Sequence, residues 1–203
     1  MIDSKIFILA LGTFYTLSGF SQDHSISYFM KANVDSHLFS SSNKTKKTSY
    51  IFKKNQIIAS RDNEKIFNEN ITQLKKSKNL WKKITVQKKS SQRNFFILIN
   101  NSNFEILNDS KEIELKIIIP KEKEVIPLTQ APKKELYQNC LKNPESCNAW
   151  PHRRSKIILL DTYLDASNKK LELYYKVSYE YRTSLGLSKK GIGWIQSRYA
   201  IKK

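Results

Sequence analysis

The side chains equipped for chemistry are few: His24, His37 and His152, Cys140 and Cys147, and the nearby carboxylates Asp161 and Asp165. Cys147 and His152 have the composition of a thiolate–imidazole pair. Adding Cys140 makes three metal donors, one short of a closed zinc site. None of these groups has the spacing of a zinc motif or a nucleophile elbow. With six residues between them, around the turn-forming Asn143-Pro144, Cys140 and Cys147 read as a disulfide that clips a short loop. Asp161 and Asp165 flank Tyr163 and could share a strand face, but Asp165-Ala166-Ser167-Asn168 is a strong turn sequence. No glycine falls between Gly19 and Gly186, so no glycine-rich phosphate loop exists there. The expectation is a chain without catalysis, metal or cofactor.

Aromatic residues with a polar end are the better candidates, because such side chains are enriched at binding surfaces. Trp150 stands beside Arg153 and Arg154, a combination suited to an anionic or peptide ligand. From Leu171 to Tyr181 the chain alternates strictly, as a half-buried strand does. Leu171, Leu173, Tyr175, Val177, Tyr179 and Tyr181 take the core face. Tyr174 falls on the opposite face and is expected to point outward. With Tyr199 it completes the set of expected ligand contacts: Trp150, Arg153, Arg154, Tyr174 and Tyr199. Trp194 is expected to lock the last strand onto the core.

Elements that would position these groups recur along the chain. Strand-like runs cover Ile26 to Ala32, Ser49 to Ser60, Leu80 to Val86, Phe95 to Ile99 and Ile113 to Ile119, separated by Ser/Asn-rich turns. Asn63 to Lys78 has its apolar residues near helical spacing, so a short helix or a polar insertion fits there. All five prolines lie between Pro120 and Pro151, together with both cysteines. That section reads as irregular and disulfide-clipped.

The first 21 residues read as a secretory signal. Lys5 precedes the uncharged run Ile6 to Phe20, and Gly19 and Ser21 supply small residues before Gln22. Fifteen residues fall short of the ~20 that span a bilayer. The expected location is periplasmic or secreted, where a disulfide persists. The formal net charge is +18. Such a charge favours anionic partners such as envelope polymers, although lysines scattered over a solvated surface give the same sum. Lysine dominates over arginine and no aromatic-interleaved motif appears, so nucleic acid is not an expected partner.

The closing Gly191-Ile192-Gly193-Trp194-Ile195 followed by Tyr199 resembles the end of a bacterial SH3-type domain. In that family a Gly-Trp-Ile/Val-x-x-x-Tyr segment forms the final strand and a short helical turn. Tyr28 to Val86 resembles the same family through Ala32-Asn33-Val34, then Tyr50 to Ile58, then Leu80-Trp81-Lys82-Lys83-Ile84-Thr85-Val86. Asn55 stands where the family has glycine, and asparagine tolerates the left-handed backbone that position needs. Leu173-Tyr174-Tyr175-Lys176-Val177 is similar to the family's Trp-x-Lys-Val strand, with tyrosine for tryptophan.

The resemblance implies an all-β chain of two small SH3-like barrels, at 22–110 and 111–203, the second holding the cysteine segment as an inserted loop. A single domain built from both halves is the other arrangement. The function implied is non-catalytic binding of peptidoglycan, through its wall peptide, or of an envelope protein. A basic secreted structural or effector protein that binds anionic polymers or target-cell surfaces is the alternative.

Overall fold

The computed structural model describes residues 28–40, 46–60, 64–76, 79–107, 112–120, 126–151, 155–167, 170–182, 186 and 188–203. The first 21 residues, read as a secretory signal, and His24, His152, Arg153 and Arg154 lie outside them. The described chain is mostly β-sheet, with two α-helices.

In the first half, β1 (Tyr28–Ala32) is the middle strand of a three-stranded sheet. Its flanks are β4 (Ile57–Ser60) and β7 (Phe104–Leu107), both antiparallel to it. Burial on both faces explains why Tyr28, Phe29 and Met30 are all apolar. After a bend at 33–35 the chain continues into β2 (Ser36–Phe39), which pairs with β3 (Lys47–Phe52). β3 leads into β4 through a turn where Asn55 adopts φ 67°, the left-handed conformation expected of it. Helix α1 (Glu64–Lys75) occupies the stretch read as a helix or an insertion. The hairpin of β5 (Leu80–Lys88) and β6 (Ser91–Ile99) follows, and β6 touches β2 through Phe39↔Phe96.

The second half strings five strands in one path. Here β12 (Ala200–Lys202) pairs with β8 (Glu114–Ile117), and β8 pairs with β9 (Lys156–Asp165). Then β9 pairs with β10 (Glu172–Arg182), and β10 with β11 (Ser188–Gln196). A 3-10 turn at Ser197–Tyr199 separates β11 from β12. Gly191 and Gly193 lie inside β11 opposite Tyr179 and Val177. Glycine in a strand commonly marks a close approach by another group. The Tyr179 ring and the Leu128 side chain come close at these two positions.

The proline-rich section is not irregular throughout. It contains helix α2 (Lys134–Lys142), whose Tyr137 and Cys140, three residues apart, are buried on one face. Cys140 and Cys147 form the expected disulfide, and Cys140 is 0% exposed. The bridge ties the end of α2 to the chain that leads into Ala149, which pairs with Leu128. Replacing both cysteines by serine is expected to cost about 2 kcal/mol, the chain entropy of so short a loop. A urea titration of the double variant checks this, and an unchanged midpoint would refute it.

Among the described residues the halves meet through one parallel strand pair, the Lys202–Glu105 ion pair and several hydrogen bonds. Gln87 pairs with Asp165, and the Ala166 N–H donates to the Gln87 carbonyl at 2.8 Å. The Tyr175 hydroxyl accepts from the Ile57 N–H at 2.9 Å, and the Thr162 hydroxyl from the Ala59 N–H at 2.8 Å. One apolar cluster includes buried residues of both halves, among them Met30, Phe52 and Ile97 with Leu115, Tyr175 and Ile195.

Candidate functional site

Of the residues expected to bind ligand, Tyr174, Tyr199 and Trp150 are described. Tyr174 lies on the sheet face opposite Tyr175, as alternation requires, yet it is 1% exposed, a correction to its expected outward display. Tyr163 and Gln196 are its cross-strand neighbours, and the Tyr174 hydroxyl donates to Glu172 at 2.7 Å. Burial, then the Glu172 contact, raise this phenol's pKa above its ordinary value, so it remains a neutral donor. Tyr199 is 8% exposed and stacks on Tyr137 at 5.7 Å, with the Arg198 guanidinium 4.8 Å from its ring. It secures the 3-10 turn against α2. Trp150 is half-buried, and its indole N–H donates to the Pro144 carbonyl at 3.3 Å.

The candidate catalytic groups take structural positions. Asp165 accepts from the N–H and the hydroxyl of Ser167, at 2.8 and 2.6 Å, which is the turn read from the sequence. Asp161 accepts from the Thr162 N–H at 2.7 Å. His37 lies 3.4 Å from the Thr48 carbonyl on the β2–β3 hairpin. Among the described residues no three His, Cys, Asp or Glu side chains are grouped to hold a metal ion.

A cleft of about 720 Å³ lies where β4, β5 and β9 converge. Its walls take consecutive residues from each strand: Ile58 to Ser60 of β4, Trp81 to Thr85 of β5, and Thr162 to Leu164 of β9. Successive side chains of a strand point to opposite faces. A cavity that touches a run of neighbours therefore lies along the strand's edge, not on one face. Asn70 of α1 lies at its wall, and Gln87 and Gln92 come from the β5–β6 hairpin.

The lining chemistry is polar and cationic. Lys82 is 7% exposed, on the same strand face as Ile84 and Val86, with its ammonium 5.5 Å from the centre of the Tyr28 ring. A cation over an aromatic face is attracted by the ring quadrupole, more so when it is shielded from water. Lys83 adds a second, exposed ammonium. Ser60, Thr85, Thr162, Asn70 and Gln87 bring hydroxyls and amides, and no carboxylate is among the described lining residues. Burial, and then the Asp165 carboxylate, raise the Tyr163 phenol. The site mixes apolar side chains with two ammonium groups and with hydroxyls and amides that both donate and accept, an arrangement suited to a ligand with polar and anionic groups.

No family model, curated protein or solved structure matches the chain.

The cleft's residues were absent from the sequence-based set, although one signal was available. Alternation across Leu80 to Val86 places Lys82 on the apolar face, where lysine is almost never fully buried unless paired.

Proposed function

We propose that this chain is an exported bacterial binding protein without catalysis, built on SH3-like modules, that recognises cell-wall peptide or an envelope protein through the β4–β5–β9 cleft. The observation that carries the reading is the cleft itself. It combines two lysines with hydroxyl and amide groups, and no imidazole, thiol or carboxylate is among its described lining residues. The module reading draws support from the five-strand path β12-β8-β9-β10-β11 and from the 3-10 turn between β11 and β12. The SH3-type closing segment implies such a turn.

Purified peptidoglycan tests the proposal by co-sedimentation. Retention is expected at low salt, weakening as ionic strength rises about tenfold, because the charges at an open cleft are screened. Lys83→Glu is expected to reduce the retained fraction several-fold at low salt without altering the circular dichroism spectrum, since this side chain is exposed. No retention at either salt concentration would count against wall binding and favour a protein partner. Equal retention of the variant would remove the cleft from the interaction. The +18 charge supports a second reading, attachment to anionic envelope polymers, which predicts strong salt dependence without selectivity for wall peptide.

A further inference from the structure

We propose that the cleft accepts an extended acidic segment of a partner protein, which adds as a strand along the edge of β5 that faces the cleft. The inference rests on reading the cleft as a binding site and names what enters it and how.

The hairpin geometry fixes which main-chain groups face the cleft. β5 and β6 are joined by the two-residue turn Lys89-Ser90, with Lys89 at φ 55° and Lys88↔Ser91 as the closing pair. Alternate residues of such a hairpin exchange hydrogen bonds with their partner, and the others turn N–H and C=O outward. Counting back from Lys88, the residues bonded to β6 are Val86, Ile84 and Lys82. Gln87, Thr85, Lys83 and Trp81 face the other way. The Gln87 carbonyl, which accepts from the Ala166 N–H on the β9 side, has this orientation. The same parity directs the main chain of Thr85 and Lys83 into the cleft.

The neighbouring edges leave this one as the place for a new strand. Among the described pairings, β5 meets β9 at Gln87↔Asp165 alone, and the cleft separates the two strands beyond that point. On β4, Ile57 and Ala59 already donate to the Tyr175 and Thr162 hydroxyls. Trp81 to Thr85 spans about 14 Å at ~3.4 Å per residue, enough for an added strand of about five residues. Main-chain bonds would supply affinity, and the alternating side chains specificity.

Charge selects the occupant. Lys82 and Lys83 are consecutive and so project to opposite faces of β5, within reach of both side-chain rows of an added strand. Lys83 is exposed at the cleft, and the whole chain carries +18 to steer an acidic ligand. Trp81, Ile84 and Met30 give apolar contacts between the charges.

The test uses a blocked pentapeptide, Glu-Val-Glu-Val-Glu, titrated into the full exported chain and followed by amide NMR. Saturable shifts are expected at Lys83 and Thr85, with no binding of the Lys-Val-Lys-Val-Lys counterpart. Two further peptides carry N-methyl groups on either the valine or the glutamate amides. Only one set of amides can face β5, so one of these peptides should lose about tenfold or more in affinity and the other much less. Thr85→Pro should give a similar loss, because this outward N–H makes no bond to β6. Lys83→Glu provides a second variant if proline disturbs the hairpin.

Equal binding of both methylated peptides, or unchanged binding by a folded Thr85→Pro protein, overturns strand addition. A dimer that Thr85→Pro dissolves overturns it in favour of a second copy as occupant. If the acidic peptide fails but peptidoglycan retention is lost with Lys83→Glu, strand addition falls and the binding-site reading stands. If neither probe binds, strand addition and wall binding both fall.

Discussion

Gly193→Ala is expected to lower the melting temperature by about 3 to 10 °C, the equivalent of roughly 1–3 kcal/mol for overpacking in a chain of this size. A Cβ at this position would lie 2.9 Å from the Leu128 Cβ, 3.4 Å from its Cδ1 and 3.5 Å from the Thr129 carbonyl oxygen. The Leu128 Cβ cannot yield readily, because main-chain bonds fix it on both sides. The Leu128 N–H donates to Ala149 and its carbonyl accepts from Asn148, while Thr129 and Trp194 exchange both of their bonds. Gly191, two residues earlier, is the internal control. Its new Cβ would meet the Tyr179 hydroxyl at 2.5 Å, the far end of a half-buried side chain and not a Cβ anchored by main-chain bonds. Gly191→Ala should therefore cost less than about 1 kcal/mol. Thermal denaturation of the two variants decides the matter. Equal losses, or a Gly193→Ala protein that melts with the wild type, would show that the Leu128 segment is not held as described.

The same glycine shows where the sequence was readable. Alternation from Leu171 onward correctly placed Leu173, Tyr175 and Val177 in the core. Asn55 declared its left-handed turn through residue type, and Cys140 and Cys147 declared their bridge through spacing. These are local properties, set by a few adjacent residues. Tyr174 was misjudged because alternation separates two faces without saying whether the second is covered. Here Tyr174 is 1% exposed, with Glu172, Tyr163 and Gln196 as its neighbours on that face. The cleft was harder still to anticipate. It is made of strand edges brought together from around positions 58, 83 and 163, and edge exposure depends on which strands pair, a long-range outcome with no periodic signature. Lys82 was the one local trace, a charged residue in an apolar row.

The second large effect concerns the hydroxyls that hold β4 against the second half. Tyr175→Phe removes the acceptor of the Ile57 N–H while keeping the ring, and Thr162→Val removes the acceptor of the Ala59 N–H while keeping the shape. Each change leaves a main-chain donor without its partner, which costs roughly 1–3 kcal/mol at the buried Ile57 and less at Ala59, which lines the cleft. The Tyr175 side chain is fully buried, and burial raises its phenol pKa, so the hydroxyl stays protonated and its lone pair serves the Ile57 donor. The two sites lie on adjacent strands and share β4 as partner, so their effects should not add simply. Hydrogen exchange separates this loss from a general weakening. Ala32 and Gln56 are bonded across the start of the β1–β4 pair, so alternation turns Ile58 and Ser60 toward β1, and Ile57 and Ala59 toward the second half. In the double variant the amides of Ile57 and Ala59 should exchange at least about tenfold faster, while those of Ile58 and Ser60 accelerate only as far as global stability falls. Acceleration of all four to the same extent would mean that β4 is held by β1 and the core alone. Selective acceleration would mean that two hydroxyls set the β4 wall of the cleft and that the halves cooperate in shaping the site.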